Sequence, residues 1–501
     1  MGEGYIGVDI GTSSIRAALF DIDGYQKYIS SRECTVLSKE NGLAELDAAV
    51  LFYQTITVIK DCTDFAGANN VSVNGIGLSC QMHSLLTVDK SGEPLTAVMI
   101  WADARAVKEA ASIKENFDSI ELYRITGCRL QHPMYPASKI IWIKNNCPDV
   151  FSKTYKFITI KEYIIFRLFG EYIVDYTLAG CQGYFNIHSF EWDGFILGDI
   201  LGIGKDRLSE PAECTFCLKG MNAEYARAMG LSADTPVVIG SGDGIMANLG
   251  SGVVNDSAFS STIGTSGALR TSVNKPLLAA EQQTWCYPFL KNTWVAGGAI
   301  NNGGIVLKWI RDEFEKQFID EAHGSNVSIY KLFDRYASEI AAGSNGLFFL
   351  PYLAGERSPD WNPEVRGTMY GLSLIHGRKH IVRAAMEGVL YRLFSIYEIL
   401  SDMNRTASKI IASGGYAKSK VWLQMQADIF NKEILVAPVT EASALGAAYL
   451  AMVAVGAANG FDNMLPSMKP RSIITPDAET HKFYTHAYKR AMEIYSNLYY
   501  K

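Results

Sequence analysis

The tetrapeptide Ile-Gly-Thr-Ser occurs twice in this chain, as Ile10-Gly11-Thr12-Ser13 and as Ile263-Gly264-Thr265-Ser266. Each copy lies between two short runs of apolar and β-favouring residues, a pattern that predicts strand, tight turn, strand. Glycine lets the backbone come close to a ligand, and the Thr and Ser that follow add hydroxyl donors. A turn of this kind suits a phosphate held on backbone N–H groups. One copy in each half predicts two related domains gripping a nucleotide between them.

Length and charge narrow the field further. A chain of 501 residues is long enough for two large domains or three ordinary ones. Its net charge of −6 comes without long Lys/Arg runs, so it carries no electrostatic footprint for nucleic acid. Positive charge for an anionic substrate must then be local to a cleft. A core strand is expected to begin at Tyr5, which leaves no room for a signal peptide. No apolar run approaches the ~20 residues of a membrane helix, and Met1-Gly2 lacks the hydroxyl residue that myristoylation wants, since position 6 is Ile6. A cytoplasmic protein with no membrane partner is expected. The nine cysteines are scattered and read as buried free thiols. Cys214-Thr215-Phe216-Cys217 has CxxC spacing but no second metal-ligand pair nearby.

Strand-like and helical patterns alternate in both halves, which predicts α/β layers. Ile6–Leu19, the run to about Val36 and Val73–Ser79 read as strands; Glu45–Asp61 and Tyr155–Leu168 read as helices. Strands resume over 236–240, Ala258–Ile263 and Ala268–Val273. Asn302–Phe318 then predicts an amphipathic helix, with Ile305, Val306, Trp309, Ile310 and Phe314 on one face. Ile410–Ala412 predicts a strand running into Gly414-Gly415 and a helix through Phe430. Glu479–Tyr500 predicts a last amphipathic helix. The glycine-rich stretch Gly240–Gly252 reads as a hinge beside a cleft, and the domain boundary is placed there, as 1–248 and 249–501.

Several chemistries are excluded. There is no GxxxxGK[ST] loop, and Gly240-x-Gly242-x-Gly244 lacks the full GxGxxG register. No HExxH, GxSxG or EF-hand pattern occurs. Two carboxylates remain. Asp9 stands two residues before the first turn glycine, where it either caps the turn or aims at the phosphate pocket to hold hydrated Mg²⁺. Asp243 lies among three glycines that leave its carboxylate open to a substrate, although aspartates in such settings also serve simply as turn formers.

Together these pieces resemble the FGGY carbohydrate kinase family, over nearly the whole chain from Tyr5 to about Gly456. Two longer stretches carry the resemblance: Met134-Tyr135-Pro136-Ala137-Ser138-Lys139-Ile140-Ile141-Trp142, and the span from Gly367-Thr368-Met369-Tyr370-Gly371-Leu372 to Glu387. The resemblance implies an α/β fold of two actin-like (ribonuclease-H-like) domains flanking a catalytic cleft. It also implies ATP as phosphate donor, Mg²⁺, and a small-molecule sugar acid as partner, and it leaves room for a homodimer. By position, Asp243 matches the catalytic base, with Asp243 also a second candidate for the metal. Asp9 matches the metal-associated aspartate, acting through water. Thr12, Ser13, Ser14 and Arg16 match the first phosphate motif, while Gly264 and Thr265 match the second. Gly304 and Lys308 align with positions that approach the nucleotide, and Gly414, Gly415 and Ser419 match the adenosine motif. Met82 and His83 match a sugar-contacting pair.

Within the family, Ile100–Ala106, Gln131–Met134, Val174–Tyr176 and Gly298–Leu307 are similar in wording to members that phosphorylate D-gluconate. Phosphorylation of D-xylulose is the alternative, since Met82-His83 is common to both branches. A more distant alternative is an actin-like ATPase without a sugar substrate. A gluconate carboxylate needs a cation, for which His83, Arg105, Lys161 and Arg357 are candidates.

Overall fold

The computed structural model describes residues 2–39, 42–253, 255–314, 327–404, 407–438, 441–461 and 465–500. Both Ile-Gly-Thr-Ser copies are hairpin loops, and each hairpin belongs to a large mixed sheet. The first sheet orders its strands Cys217–Leu218, Val237–Gly242, Val71–Cys80, Gly2–Ile10, Ser14–Phe20 and Gln26–Glu33. Gly2–Ile10 runs parallel to Val71–Cys80, which runs parallel to Val237–Gly242, whereas the hairpin partners are antiparallel.

The second sheet repeats the plan. Its central strand, Ala258–Ile263, is parallel to Lys409–Gly414, which is parallel to Glu433–Val436. The hairpin of Ala258–Ile263 with Gly267–Val273 is antiparallel, as is the next strand, Thr293–Ile300, which pairs in turn with Trp285–Leu290. The two sheets thus share one arrangement of parallel and antiparallel neighbours, which is the duplication that the repeated tetrapeptide predicts.

The helices form where local signals place them. Ala48–Ala68 starts at the N-cap Asp47, whose carboxylate accepts the Val50 N–H, an orphan donor that a bare helix start would leave unpaired. Ile160–Phe169 begins with a capping box, Thr159 with Glu162, and ends at the left-handed Gly170. The helix expected over Tyr155–Leu168 is therefore shorter, because Lys156–Ile158 pairs as a strand with Leu86–Val88. Likewise Leu43–Leu46 is a strand and its helix starts only at Ala48. The amphipathic helix after Asn302 spans Ile305–Glu313, and the remainder of that expectation, from 315, lies outside the described residues. The last helix is Ala478–Tyr499. All nine cysteines are unpaired thiols.

One element links the two halves. The helix Ala442–Ala454 lies in sequence between Glu433–Val436 and Ser472–Ile474 of the second sheet but packs on the first, and its Ala444, Leu445, Ala447, Ala448, Tyr449 and Leu450 join that sheet's core. It can lie so close because the strands beneath it carry glycine. A Cβ on Gly7 would stand 1.8 Å from the Ala444 carbonyl oxygen, and one on Gly77 would stand 1.9 Å from that of Ala447.

The stretch read as a glycine hinge is regular structure. Val237–Gly242 is a fully buried strand, and Asp243–Gly250 is a helix. Its glycines serve close packing between elements, a requirement that sequence alone does not separate from looseness.

Candidate active site

The candidate residues of the first half gather at the carboxyl ends of the parallel strands, where open α/β sheets place their ligands. Asp9 is the penultimate residue of Gly2–Ile10. Gln81, Met82 and His83 follow Val71–Cys80 directly, and Asp243 follows Val237–Gly242. The last of these placements depends on an irregularity. The strand register shifts between Val238 and Ser241, and Gly240 there has φ +64°, with its Cβ position only 1.6 Å from the Leu78 carbonyl oxygen. A bulge of this kind re-aims the residues after it. It makes Asp243 the first residue of a helix, with its Oδ1 accepting the Gly244 N–H at 2.6 Å. Asp243 is thus no loop aspartate.

Asp9 lies within reach of the charge on Asp243. Burial, with Asp243 second, pushes the Asp9 carboxyl up to about 7, while a hydrogen bond from Ser79 at 2.8 Å opposes the rise. Burial also raises the Asp243 carboxyl, against the pull of Arg270. Neither aspartate forms an ion pair with a described side chain.

The two Ile-Gly-Thr-Ser copies form different loops. In the first, Ile10 pairs with Ile15 and the Gly11 N–H donates to the Ser14 carbonyl at 3.1 Å. In the second, Ile263 pairs with Gly267, leaving three residues in the loop. Thr12 donates to the Gln81 side chain at 3.1 Å, which ties the first loop to the sugar-side segment. Ser13 is exposed and Ser14 half-buried, and Arg16 is paired with Glu441 at 3.0 Å.

Gly264 and Thr265 open onto a cavity of about 520 Å³, within the range of small-molecule sites. Gly304, Lys308, Gly415 and Ser419 line it as well, and Gly414 ends the strand that leads into it. The start of the Ile305 helix clasps the turn, with the Gly304 N–H donating to the Gly264 carbonyl at 2.7 Å. Ser419 has a structural task too: it caps the helix Lys420–Phe430 through the Trp422 N–H and donates to Asp334 at 2.5 Å. The cavity includes apolar and aromatic walls that sequence reasoning missed, among them Tyr330, Met386, Tyr416 and Trp422. Their spacing matches no short motif, because separate segments supply them.

The residues that follow Val71–Cys80 border an aromatic and cationic corner. The Met82 side chain packs against Gly242. His83, buried and at φ +63°, shares a hydrogen bond of 3.0 Å with the Tyr287 hydroxyl. Lys139, from the first long family stretch, donates to the carbonyls of Ile100 at 2.7 Å and His83 at 3.3 Å. Burial brings its ammonium down to about 7. Arg357 stacks on Trp101 at 5.0 Å.

The four cations considered for a substrate carboxylate separate clearly. Arg105 is spent on Asp103, at 2.7 and 2.8 Å, and on Glu45. Lys161 is paired with Asp175 at 2.5 Å with both side chains fully buried. His83 is held neutral by burial first and then by Lys139 and Arg357. Arg357 remains available. Arg270, which no sequence motif marks, joins it: its guanidinium lies 3.1 Å from the Cβ position of Gly244.

The same corner has a pH signature. Burial, followed by Arg357 and Arg129, brings the His132 imidazole down to about 3. The unfolded chain takes up this proton near pH 6.5 and the folded chain does not, so the stability present above that pH is lost as pH falls toward 3. At pH 5 the loss is about 2 kcal/mol. Urea unfolding at pH 7.5 and pH 5.0 should therefore show a smaller acid loss in His132→Asn than in the wild type. An identical loss in both proteins would contradict it.

Two duplicated α/β units, one ending its strands in Asp9 and Asp243 and the other holding a ligand-sized cavity, are the architecture of actin-like sugar kinases. Two family models match the sequence: the N-terminal domain of the FGGY family of carbohydrate kinases over residues 4–250 and its C-terminal domain over residues 259–455. The chain belongs to the FGGY family of carbohydrate kinases. It is 39% identical to the gluconokinase of Bacillus subtilis (strain 168), an alignment covering 98% of this chain and 95% of that protein. Among solved structures, gluconate kinase from Lactobacillus acidophilus superposes with a TM-score of 0.92 at 32% identity, covering 99% of this chain and 98% of that one. A ligand-bound xylulose kinase from the same organism gives 0.91 at 32% identity, with the same coverage.

Proposed function

We propose that this carbohydrate kinase transfers the γ-phosphoryl group of ATP to the 6-hydroxyl of D-gluconate, giving ADP and 6-phospho-D-gluconate. The observation that carries this reading is the position of Asp243 at a bulged strand end, where its charge reaches both Asp9 and Arg270. The similarity to gluconokinase favours gluconate, and so do the unpartnered guanidinium nitrogens of Arg270 and Arg357.

Phosphoryl transfer asks for positioning and charge neutralisation more than covalent chemistry. The substrate hydroxyl oxygen forms a bond to the γ-phosphorus as the bond to the bridging oxygen of ADP breaks. Asp243 takes the hydroxyl proton. Its raised carboxyl suits that task, since a more basic carboxylate accepts a proton more readily. Gly264, Thr265 and Lys308 on one wall, and Thr12, Ser13 and Ser14 on the other, hold the phosphates. Gly414, Gly415 and Ser419 border the nucleoside end of the cavity. Met82 and His83 bound the sugar.

Among the described residues, no group of three His, Cys, Asp or Glu side chains could hold a metal alone. Asp9 and Asp243 are unpaired by cations and offer hard oxygen donors, which fits hydrated Mg²⁺ bound jointly with nucleotide phosphates. Such an ion, when bound, offsets charge on the phosphates.

A coupled ADP-release assay across D-gluconate, D-xylulose, D-ribulose and glycerol tests the substrate. Gluconate should give the highest kcat/KM by a wide margin. Strong turnover of xylulose with none of gluconate would replace this reading by a xylulose kinase.

A further inference from the structure

The sugar-side corner holds two arginines whose hydrogen-bonding capacity the protein does not use. The Nε and one terminal nitrogen of Arg270 are buried without a partner, and so is the Nε of Arg357. A buried donor left unpaired carries a real desolvation cost, and a buried cation without a counter-ion costs more. Burial brings the Arg270 guanidinium down to about 10; the Asp243 charge opposes that fall and Arg357 adds to it by like-charge repulsion. Both remain charged at neutral pH.

The anions nearby, Asp243 for Arg270 and Glu356 for Arg357, act on them through space without a contact ion pair, and the Glu356 Oε2 is itself left unpartnered. Asp243 Oδ1 accepts from the Gly244 N–H, and Glu356 Oε1 accepts from the backbone N–H groups of Asn301 and Arg357. The position of Arg270 also separates it from the phosphate turn. It lies three residues along the strand from Gly267, roughly 10 Å at strand rise, and against the helix that Asp243 begins. Arg357 is anchored between the Ile300 carbonyl, 3.3 Å away, and the Trp101 ring. It faces the neutral histidines His83 and His132, both of which feel its charge.

We propose that Arg270 and Arg357 together form the receptor for the substrate's carboxylate. The inference rests on the sugar-acid reading above and names the groups that would enforce it. A guanidinium fork matches a carboxylate geometrically, and an arriving carboxylate offsets the repulsion between the two guanidiniums beyond what Asp243 and Glu356 already do through space. An uncharged sugar or polyol brings hydroxyl acceptors but no compensating charge, so it leaves the mutual repulsion in place. The receptor therefore selects by rejecting neutral substrates as well as by attracting acids.

Calorimetric binding of D-gluconate, D-glucitol and ADP separates the possibilities. Glucitol keeps the carbon chain and replaces the carboxylate with a hydroxymethyl group. The wild type should bind gluconate more tightly than glucitol by a factor of ~100 or more. Arg270→Gln and Arg357→Gln should each weaken gluconate on the order of 100-fold, while glucitol and ADP change by less than about 3-fold. Arg270→Lys, which keeps the charge and loses the fork, should fall between and serves if the Gln variant does not fold. Variants with wild-type Tm that bind gluconate normally, or lose gluconate and glucitol alike, would overturn the assignment. Loss of ADP binding instead would make these arginines phosphate ligands and also overturn it. A wild type that binds gluconate and glucitol equally would defeat the sugar-acid reading itself, whatever the variants do.

Discussion

Asp243→Asn should lower kcat by about 10²–10⁴-fold, the range for loss of a positioned general base, while leaving ADP affinity near that of the wild type. The amide keeps the size and the acceptor oxygen that meets the Gly244 N–H, so the helix start should persist. What disappears is the ability to take the hydroxyl proton. Binding of ADP without Mg²⁺ has no reason to fall, because the substitution removes a like charge from beside Asp9. Steady-state turnover together with ADP calorimetry checks both parts. Turnover within a few-fold of the wild type would remove Asp243 from the chemistry, and a joint loss of turnover and ADP binding would assign it to nucleotide binding.

Gly77→Val should be the most damaging substitution for stability. Its first side-chain carbon would meet the Ala447 carbonyl oxygen at 1.9 Å; the backbone fixes the place of that carbon and contains the oxygen, so neither can rotate away. The strand and the helix Ala442–Ala454 would have to separate, opening a core of alanines and larger side chains. Overpacking of this kind costs on the order of 3 kcal/mol or more. Function should suffer in step, because the same helix packs as closely on the helix that Asp243 begins: a Cβ on Gly250 would lie 1.9 Å from the Ala442 carbonyl oxygen. Gly67→Ala is the control, since no atom lies within 4 Å of its Cβ position. It should be neutral or stabilising by up to about 1 kcal/mol. Equal urea midpoints for the two variants would refute the packing account.

Much of the nucleotide side was legible in the sequence. The two tetrapeptides, the strand before Gly414 and the helix after Ser419 are all short-range patterns, and the structure forms them where those patterns lie. The sugar side was less legible. Arg105 and Lys161 are cations in suggestive stretches, yet Asp103, Glu45 and Asp175 neutralise them. Arg270 sits in a strand with no motif of its own and becomes notable only because the chain brings Gly244 against it. The regular structure over Val237–Gly250, where the sequence reads as loose backbone, has a related reason. Glycine marks both loose backbone and tight contact, and here the contacts are with Leu78, Ala442 and Met82.

By itself, then, the sequence determined the duplicated strand–turn–strand plan, the order of the elements and the family, because turn chemistry and hydrophobic periodicity are written in neighbouring residues. Tertiary structure alone decided which charges are spent and which are free. It also decided that Asp243 begins a helix at a bulged strand end, and that the helix Ala442–Ala454 closes over the first sheet. Those outcomes depend on partners tens to hundreds of residues away, since desolvation and charge compensation act through space.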